Sequence, residues 1–327
     1  MRILALTCLC LLLLPACGRE RPSSAPPAAT TEEDPLGAFE EETLAGTIRA
    51  DGSSTVAPLM SFAAERFRRQ EPKVRVSVGT SGTGGGFERF CRGETDLSDA
   101  SRPIEDDEKQ LCEKNHVGWI ELQVANDGLS IVVNKENTWA MCLTVDQLKA
   151  MWEPRSTVKN WKDVDPSFPD ERLSLYGAGT DSGTFDYFTE AIVGEEGASR
   201  TDYTPSEDDN VTVQGVSGEK GALGYFGLSY YLENEERVRA LGVDGGDGCV
   251  EPSVETVQDG SYKPLARPLF VYVNEDALAE KPAVDPFLTF LLDNQARLAR
   301  GAKFVPMTQE QLQKARTALD AGGVAVD

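Results

Sequence analysis

From Thr47 onward the chain alternates between short runs with a two-residue apolar period and longer stretches whose apolar positions recur every three or four residues. Thr47–Ala50 reads as a strand, and Val56, Leu59, Met60, Ala63 and Phe67 then fall on one helical face. Val74–Val78 alternates as a strand, and a glycine loop leads from it into a helical Phe87–Cys91. Asp96–Arg102 is a short strand with a polar exit, followed by a helix over Glu105–Lys114. Trp119–Val124 and Leu129–Asn134 are two strands separated by Ala125-Asn126-Asp127-Gly128. A second block repeats the pattern: a helix at Thr144–Trp152, a long polar connection at Arg155–Arg172, a strand at Leu173–Tyr176 and a helix at Ser182–Ile192. The strand Ala222–Gly227, the helix Leu228–Asn234, the strongly apolar strand Arg267–Val273 and the helices Asp285–Leu292 and Gln309–Leu319 complete it. Strands alternating with helices in this way predict an α/β fold with parallel or mixed sheets.

Three Gly/Ser/Thr clusters punctuate the pattern: Gly52-Ser53-Ser54-Thr55, Thr80-Ser81-Gly82-Thr83-Gly84-Gly85-Gly86, and Gly179-Thr180-Asp181-Ser182-Gly183-Thr184. Each follows a predicted strand and runs into a predicted helix, where unpaired backbone N–H groups and hydroxyls meet the positive end of the helix dipole. One such turn alone is an ordinary helix cap. Three of them at the carboxyl ends of strands, where α/β folds bind ligands, point to one oxyanion held from several sides. No Gly-Lys-Ser/Thr follows any of them, so none is a nucleotide P-loop.

Charge narrows the partners. With 32 basic against 54 acidic side chains the net charge is −22, which disfavours nucleic acid and anionic membrane surfaces. A small anion is still compatible, because donors within a few ångströms govern a buried site and distant charge is screened over about 8 Å.

The amino terminus is that of an exported chain. Met1-Arg2 is basic, Ile3–Leu14 is an apolar run too short to span a bilayer, and Leu14-Pro15-Ala16-Cys17 puts a small residue before a cysteine. Met1–Ala16 therefore resembles a bacterial lipoprotein signal, with Cys17 as the lipidated first residue. Residues 17–45, rich in Pro, Ala, Ser, Thr and acid, read as a flexible tether. The expected location is outside the cytoplasm, in the periplasm or at the cell surface, with membrane contact through the lipid alone.

Of seven cysteines, Cys91, Cys112, Cys142 and Cys249 belong to the mature domain. An even number in an exported protein favours disulfides, in any of three pairings. No Cys-x-x-Cys occurs and His116 is the sole histidine, so neither a common zinc site nor a Ser-His or Cys-His nucleophile is indicated. His116 sits in a polar turn and reads as a surface residue. No metal and no cofactor are expected.

At this point the chain resembles a known family. Thr47–Pro58, the glycine loop, Asp99-Ala100-Ser101-Arg102-Pro103-Ile104, Tyr176–Phe185 and Gly221–Gly227 together look like the phosphate-binding protein of bacterial phosphate ABC transporters. The resemblance implies a two-lobed, type II periplasmic-binding-protein-like fold with the ligand in the cleft between lobes. The first lobe would be residues 46–126 plus 267–327 and the second 127–266, with hinges near Asn126 and Ala266. It implies inorganic phosphate as ligand and an ABC permease as partner, with the protein a monomer. Carried over position by position, the ligand groups are Ser54 and Thr55, Ser81 and Thr83, and Ser182, Gly183 and Thr184, while Ser53 is a cap. An aspartate usual after the Ala-Ser pair is replaced by Arg102, and an arginine usual upstream of the third cluster by Gly177-Ala178-Gly179. Arg102 is then the expected cation, and Asp181 or Asp127 the acceptor of the phosphate proton. Cys91 and Cys112 lie in one strand-helix unit of the first lobe and are expected to pair, leaving Cys142 and Cys249 to pair in the second.

Two classes of function remain. One is a non-enzymatic solute-binding lipoprotein that delivers phosphate to a permease, with sulfate or molybdate as alternative ligands and phosphate sensing as an alternative role. The other is a phosphate-ester hydrolase, which would need a metal cluster or a nucleophile with a base.

Overall fold

One mixed sheet organises the molecule in a computed structural model that describes residues 44–180, 182–206 and 208–322. The strands run in the order Lys73–Val78, Ala45–Gly52, Leu97–Ala100, Ala266–Asn274, Trp119–Asn134, Ala222–Gly227, Ser174–Ala178, Thr204–Ser206, and Val238–Ala240 also pairs with Trp119–Asn134. The first three strands are mutually parallel, as are the last three. Ala266–Asn274 and Trp119–Asn134 run antiparallel to their neighbours and join the two parallel groups. These residues all fall in one compact unit, Thr43–Asp327. Cys17, Asp181 and residues 1–43 of the expected signal and tether lie outside the described residues.

Two principal hydrophobic cores form along this sheet. Ile48, Leu59, Phe67, Leu122, Val271 and Phe287 belong to the first, and Ile131, Trp152, Trp161, Phe188 and Leu223 to the second. Their border crosses the two long strands, since Ala125 and Leu269 lie in the first core while Leu129 and Leu265 lie in the second. The helix Ala57–Gln70 shows how the sequence pattern builds the first core. It buries Ala57, Leu59, Met60, Ala63 and Phe67, and the Phe67 ring meets Phe287 edge-on at 5.4 Å between centroids. A side chain of that size fully removed from water contributes about 1.5–3 kcal/mol.

Several expectations are corrected. Ala125–Gly128 is not a loop, because Trp119–Asn134 is one continuous strand. Asn126, Asp127 and Gly128 pair with Pro268, Arg267 and Ala266, and the Asn126 side chain is satisfied in place. Asn126 donates to Pro306 O and Gln311 Oε1, and its Oδ1 accepts from Gln123. The segment expected as one helix from Ser182 to Ile192 is a helix, Gly183–Phe188, continued by a π turn, Thr189–Val193. The Thr189 hydroxyl donates back to Phe185 O and Asp186 O there, competing with the regular ladder. The polar connection after Arg155 contains a short helix, Trp161–Val164, capped by Asn160. Ser53 does not cap the first helix, whose N-cap is Val56 with no side-chain bond.

Both disulfides pair as expected. Cys91–Cys112 links the end of the helix Thr83–Phe90 to the helix Asp106–Lys114. Cys142–Cys249 ties two strands of a separate three-stranded sheet made of Cys142–Thr144, Gly242–Asp244 and Cys249–Val250.

Candidate functional site

All three clusters leave the carboxyl ends of parallel strands, Ala45–Gly52, Lys73–Val78 and Ser174–Ala178. Glycine lets the first two meet. Gly52 has φ +143, and a Cβ there would lie 2.1 Å from Asp99 O, while a Cβ on Gly86 would strike Gly52 Cα at 2.5 Å. The helix Thr83–Phe90 can therefore lie directly on the end of the first strand. The first and third clusters also touch: a Cβ on Gly183 would stand 2.9 Å from the backbone N and Cα of Thr55, and the Thr55 hydroxyl donates to Gly183 O at 3.2 Å.

Two cavities share Ser54 and Thr55 on either side of this junction. The smaller, of about 10 Å³, is lined by Ser53, Ser54, Thr55, Gly82, Thr83 and Ser101, with Asp186, Tyr187, Glu190, Glu196 and Arg267 opposite. That is room for about one water. The larger, of about 160 Å³, is lined by Ser54, Thr55, Asp127, Ser182, Gly183, Thr184, Tyr230 and Lys303 among others. Within these walls the hydroxyls are tied to one another and to the opposite side. Ser54 Oγ donates to Asp186 Oδ2 at 3.0 Å, Thr83 Oγ1 and Ser101 Oγ are hydrogen-bonded to each other at 3.0 Å, and Arg267 Nη2 donates to Thr55 Oγ1 at 2.9 Å.

The expected ligand residues thus divide. Ser54 and Thr55 face both cavities, Thr83 the smaller, and Asp127, Ser182, Gly183 and Thr184 the larger. Ser182 is engaged locally as the cap of its helix, accepting from Thr184 N at 3.2 Å. Ser81 lines neither of these two cavities, and its hydroxyl and backbone N–H both donate to Asp51 at 3.0 and 3.1 Å. Arg102 lines neither as well. Its guanidinium is bidentate to Glu108 at 2.8 and 2.9 Å and approaches Glu105 at 3.2 Å. His116 is exposed on a left-handed turn.

Residues the sequence reading did not carry into the site are Ser101, Asp186, Tyr187, Glu190, Glu196 and Arg267. Ser101 stands beside the residue chosen instead, Arg102. In the sequence Arg267 opens an apolar strand, and a charge at the head of such a strand is the available signal. Asp186 and Glu190 follow the third cluster one helical turn apart, and that spacing was visible too.

Buried acids support the clusters from behind. Asp51 accepts from Gly52 N as well as Ser81 and is paired with Arg89. Asp99 is fully buried with no hydrogen-bond partner on either carboxylate oxygen. Burial, and next the charge of Asp51, push it well above the ordinary carboxylate range. Burial also raises Asp127, against the pull of Arg267, and raises Glu196, with Asp186 and Glu190 adding to the effect. Among the described residues no three His, Cys, Asp or Glu side chains are grouped so as to hold a metal ion. The chemistry on offer is a set of neutral hydroxyl donors around one buried guanidinium, with Asp127, Asp186, Glu190 and Glu196 in the same walls.

Known proteins share this architecture. A model of the PBP superfamily domain matches residues 37–295. Protein SphX of Synechocystis sp. is 45% identical over 280 residues, 85% of this chain and 83% of that protein. The phosphate-binding protein PstS of Staphylococcus saprophyticus is 38% identical over 276 residues, 84% of this chain and 85% of that one. The crystal structure of a possible phosphate binding protein from Planctomyces limnophilus superposes with a TM-score of 0.82 at 42% identity, covering 85% of this chain and 99% of the other. With the mixed α/β sheet already described, these similarities give the type II periplasmic-binding-protein fold. The chain belongs to the PBP superfamily, in the family of protein SphX and the phosphate-binding protein PstS.

Proposed function

We propose that this protein is a solute-binding protein that takes inorganic phosphate between its Gly/Ser/Thr clusters and hands it to an ABC permease for uptake. The observation that carries this reading is the convergence at Thr55 and Gly183, where two clusters from distant parts of the chain touch with hydroxyls on both sides. The oxyanion would sit beside this contact, replacing the bonds that Ser54 makes to Asp186 and Thr83 to Ser101. Ser54, Thr55, Thr83 and Ser101 would donate from one side, and Ser182, Gly183 and Thr184 from the other. Each charge-assisted bond contributes about 1.5–3 kcal/mol net.

The two cores and their border at Ala125 to Leu129 and Leu265 to Leu269 support a two-lobed reading with residues 46–126 plus 267–327 in one lobe and 127–266 in the other. The lobes would close about the paired strands near Asn126 and Ala266. No hydrolytic role is assigned, because among the described residues no three His, Cys, Asp or Glu side chains are grouped to hold a metal ion and the sole histidine, His116, lies on an exposed turn away from the site. Among the described residues no helix is long and apolar enough to cross a membrane, and attachment would be through lipid on Cys17. The protein would act as a monomer outside the cytoplasm.

Calorimetric titration with phosphate, sulfate and molybdate tests the proposal. Tight binding of phosphate, weaker binding of the other two and no turnover of a chromogenic phosphate ester are expected. Preference for sulfate or molybdate, or ester turnover, would replace it.

A further inference from the structure

The cation expected at the site, Arg102, is neutralised where it stands, with both terminal nitrogens on Glu108 and its Nε near Glu105. Arg267 is placed differently. Its side chain is 11% exposed, it lines the smaller cavity, and it already holds one of the proposed ligand hydroxyls through Nη2 and Thr55 Oγ1. The guanidinium lies 3.4 Å from the centre of the Tyr187 ring, which fixes its plane. Its two carboxylate neighbours are at long range, Asp127 Oδ2 at 3.5 Å from Nε and Glu190 Oε2 at 3.8 Å from Nη1. Charge-assisted pairs close to about 2.7–2.9 Å. The side chain is therefore buried, oriented and only loosely paired, a state that costs free energy unless an anion is at hand.

We propose that Arg267, rather than Arg102, supplies the positive charge that the bound oxyanion meets, with Asp127 and Glu190 as competing carboxylates that hold its guanidinium until the anion arrives. This rests on the oxyanion-binding reading above and adds the residue that carries the charge. Arg267 sits opposite Asp127 on the paired strands that cross from one core to the other. A ligand drawing the guanidinium away from Asp127 would therefore act at the crossing itself.

The test is calorimetric titration of the full mature protein with phosphate and with sulfate. Arg267→Gln is expected to weaken both anions about tenfold to a hundredfold, the loss of a charge-assisted bond, while Arg102→Gln changes each less than about threefold. Because Arg267→Gln could disturb folding, the decisive variants are Glu190→Gln and Asp127→Asn. Removing a competitor should tighten binding of both anions several-fold in the wild-type background and much less in the Arg267→Gln background, whereas mere loss of a nearby negative charge would tighten both backgrounds alike. Tightening that depends on Arg267 in either variant supports the assignment, and equal tightening in both backgrounds overturns it. A larger loss from Arg102→Gln than from Arg267→Gln, or no tightening in Glu190→Gln and Asp127→Asn, overturns it while phosphate binding by the wild type still stands. No binding of either anion by the wild type overturns the functional reading and this one with it.

Discussion

Gly183→Ala isolates the contact on which the proposed site depends. The added methyl would lie 2.9 Å from the N, Cα and Oγ1 of Thr55, whereas ordinary contacts of a Cβ begin near 3.4 Å, so the two clusters must separate by about half an ångström. Thr55 has little room to yield: it is buried, and its hydroxyl is held both by Arg267 and by Gly183 O. Overpacking of this kind costs about 1–3 kcal/mol. If phosphate is bound at the junction with the clusters together, that cost falls on the bound, closed form and is relieved when the lobes open.

Affinity should then drop about 5- to 150-fold, while the melting temperature without phosphate changes little. Calorimetry and thermal melting in parallel read the two effects separately. Gly218→Ala is the control, since a Cβ there meets nothing within 4 Å and alanine at a compatible position is neutral or mildly stabilising. Affinity for phosphate within twofold of wild type in Gly183→Ala, or a lowered melting temperature with affinity intact, would refute the placement of the ligand at this junction.

Other expected outcomes follow from named groups. Asp186→Asn should narrow the preference for phosphate over sulfate in competition titrations, because Asp186 loses Ser54 as donor when an oxyanion takes that hydroxyl and can then accept the proton that hydrogen phosphate carries and sulfate lacks. An unchanged ratio assigns the proton to another acceptor. Asp99 is raised in the folded state, so above the ordinary carboxylate range the folded protein binds more protons at this residue than the unfolded chain and loses stability as pH rises. Asp99→Asn removes that slope, and its melting temperature relative to wild type should climb as pH rises above the ordinary carboxylate range; a constant difference would mean that Asp99 ionises normally. Replacing Cys91 and Cys112 by Ser opens a loop with a sequence separation of 21 and should cost about 3 kcal/mol, less than opening the Cys142–Cys249 loop of 107; denaturant midpoints of the two double variants give the order. Small-angle scattering should show a smaller radius of gyration with phosphate than without if the lobes close.

Legibility in the sequence followed how local each signal was. The helix Ala57–Gln70 was announced by its apolar spacing and appears with the expected buried face, and the disulfides followed once chain neighbourhoods were grouped. Glycine clusters after strands could be located because a strand-to-helix turn is written in a few adjacent residues. The continuous strand through Asn126 and Asp127 could not, since both residues disfavour strands and are kept there by partners far along the chain, Gln311 and Arg267.

The two arginines differ in the same way. Arg102 and Arg267 are equally plain as letters, and Arg102 stands in a recognisable motif, whereas Arg267 opens a strand whose other residues are apolar. What separates them is the company each keeps. Glu105 and Glu108, the cap and first turn of the next helix, take up the charge of Arg102, and two acids three and six residues further along the chain are a local signal. Arg267 meets Thr55, Asp127, Tyr187 and Glu190, four residues drawn from three separate stretches of the chain that only the folded sheet brings together. An arginine paired by its sequence neighbours is already satisfied before any ligand arrives, and one whose partners are assembled by the fold, at long range and across the crossing strands, is where an anion has most to gain.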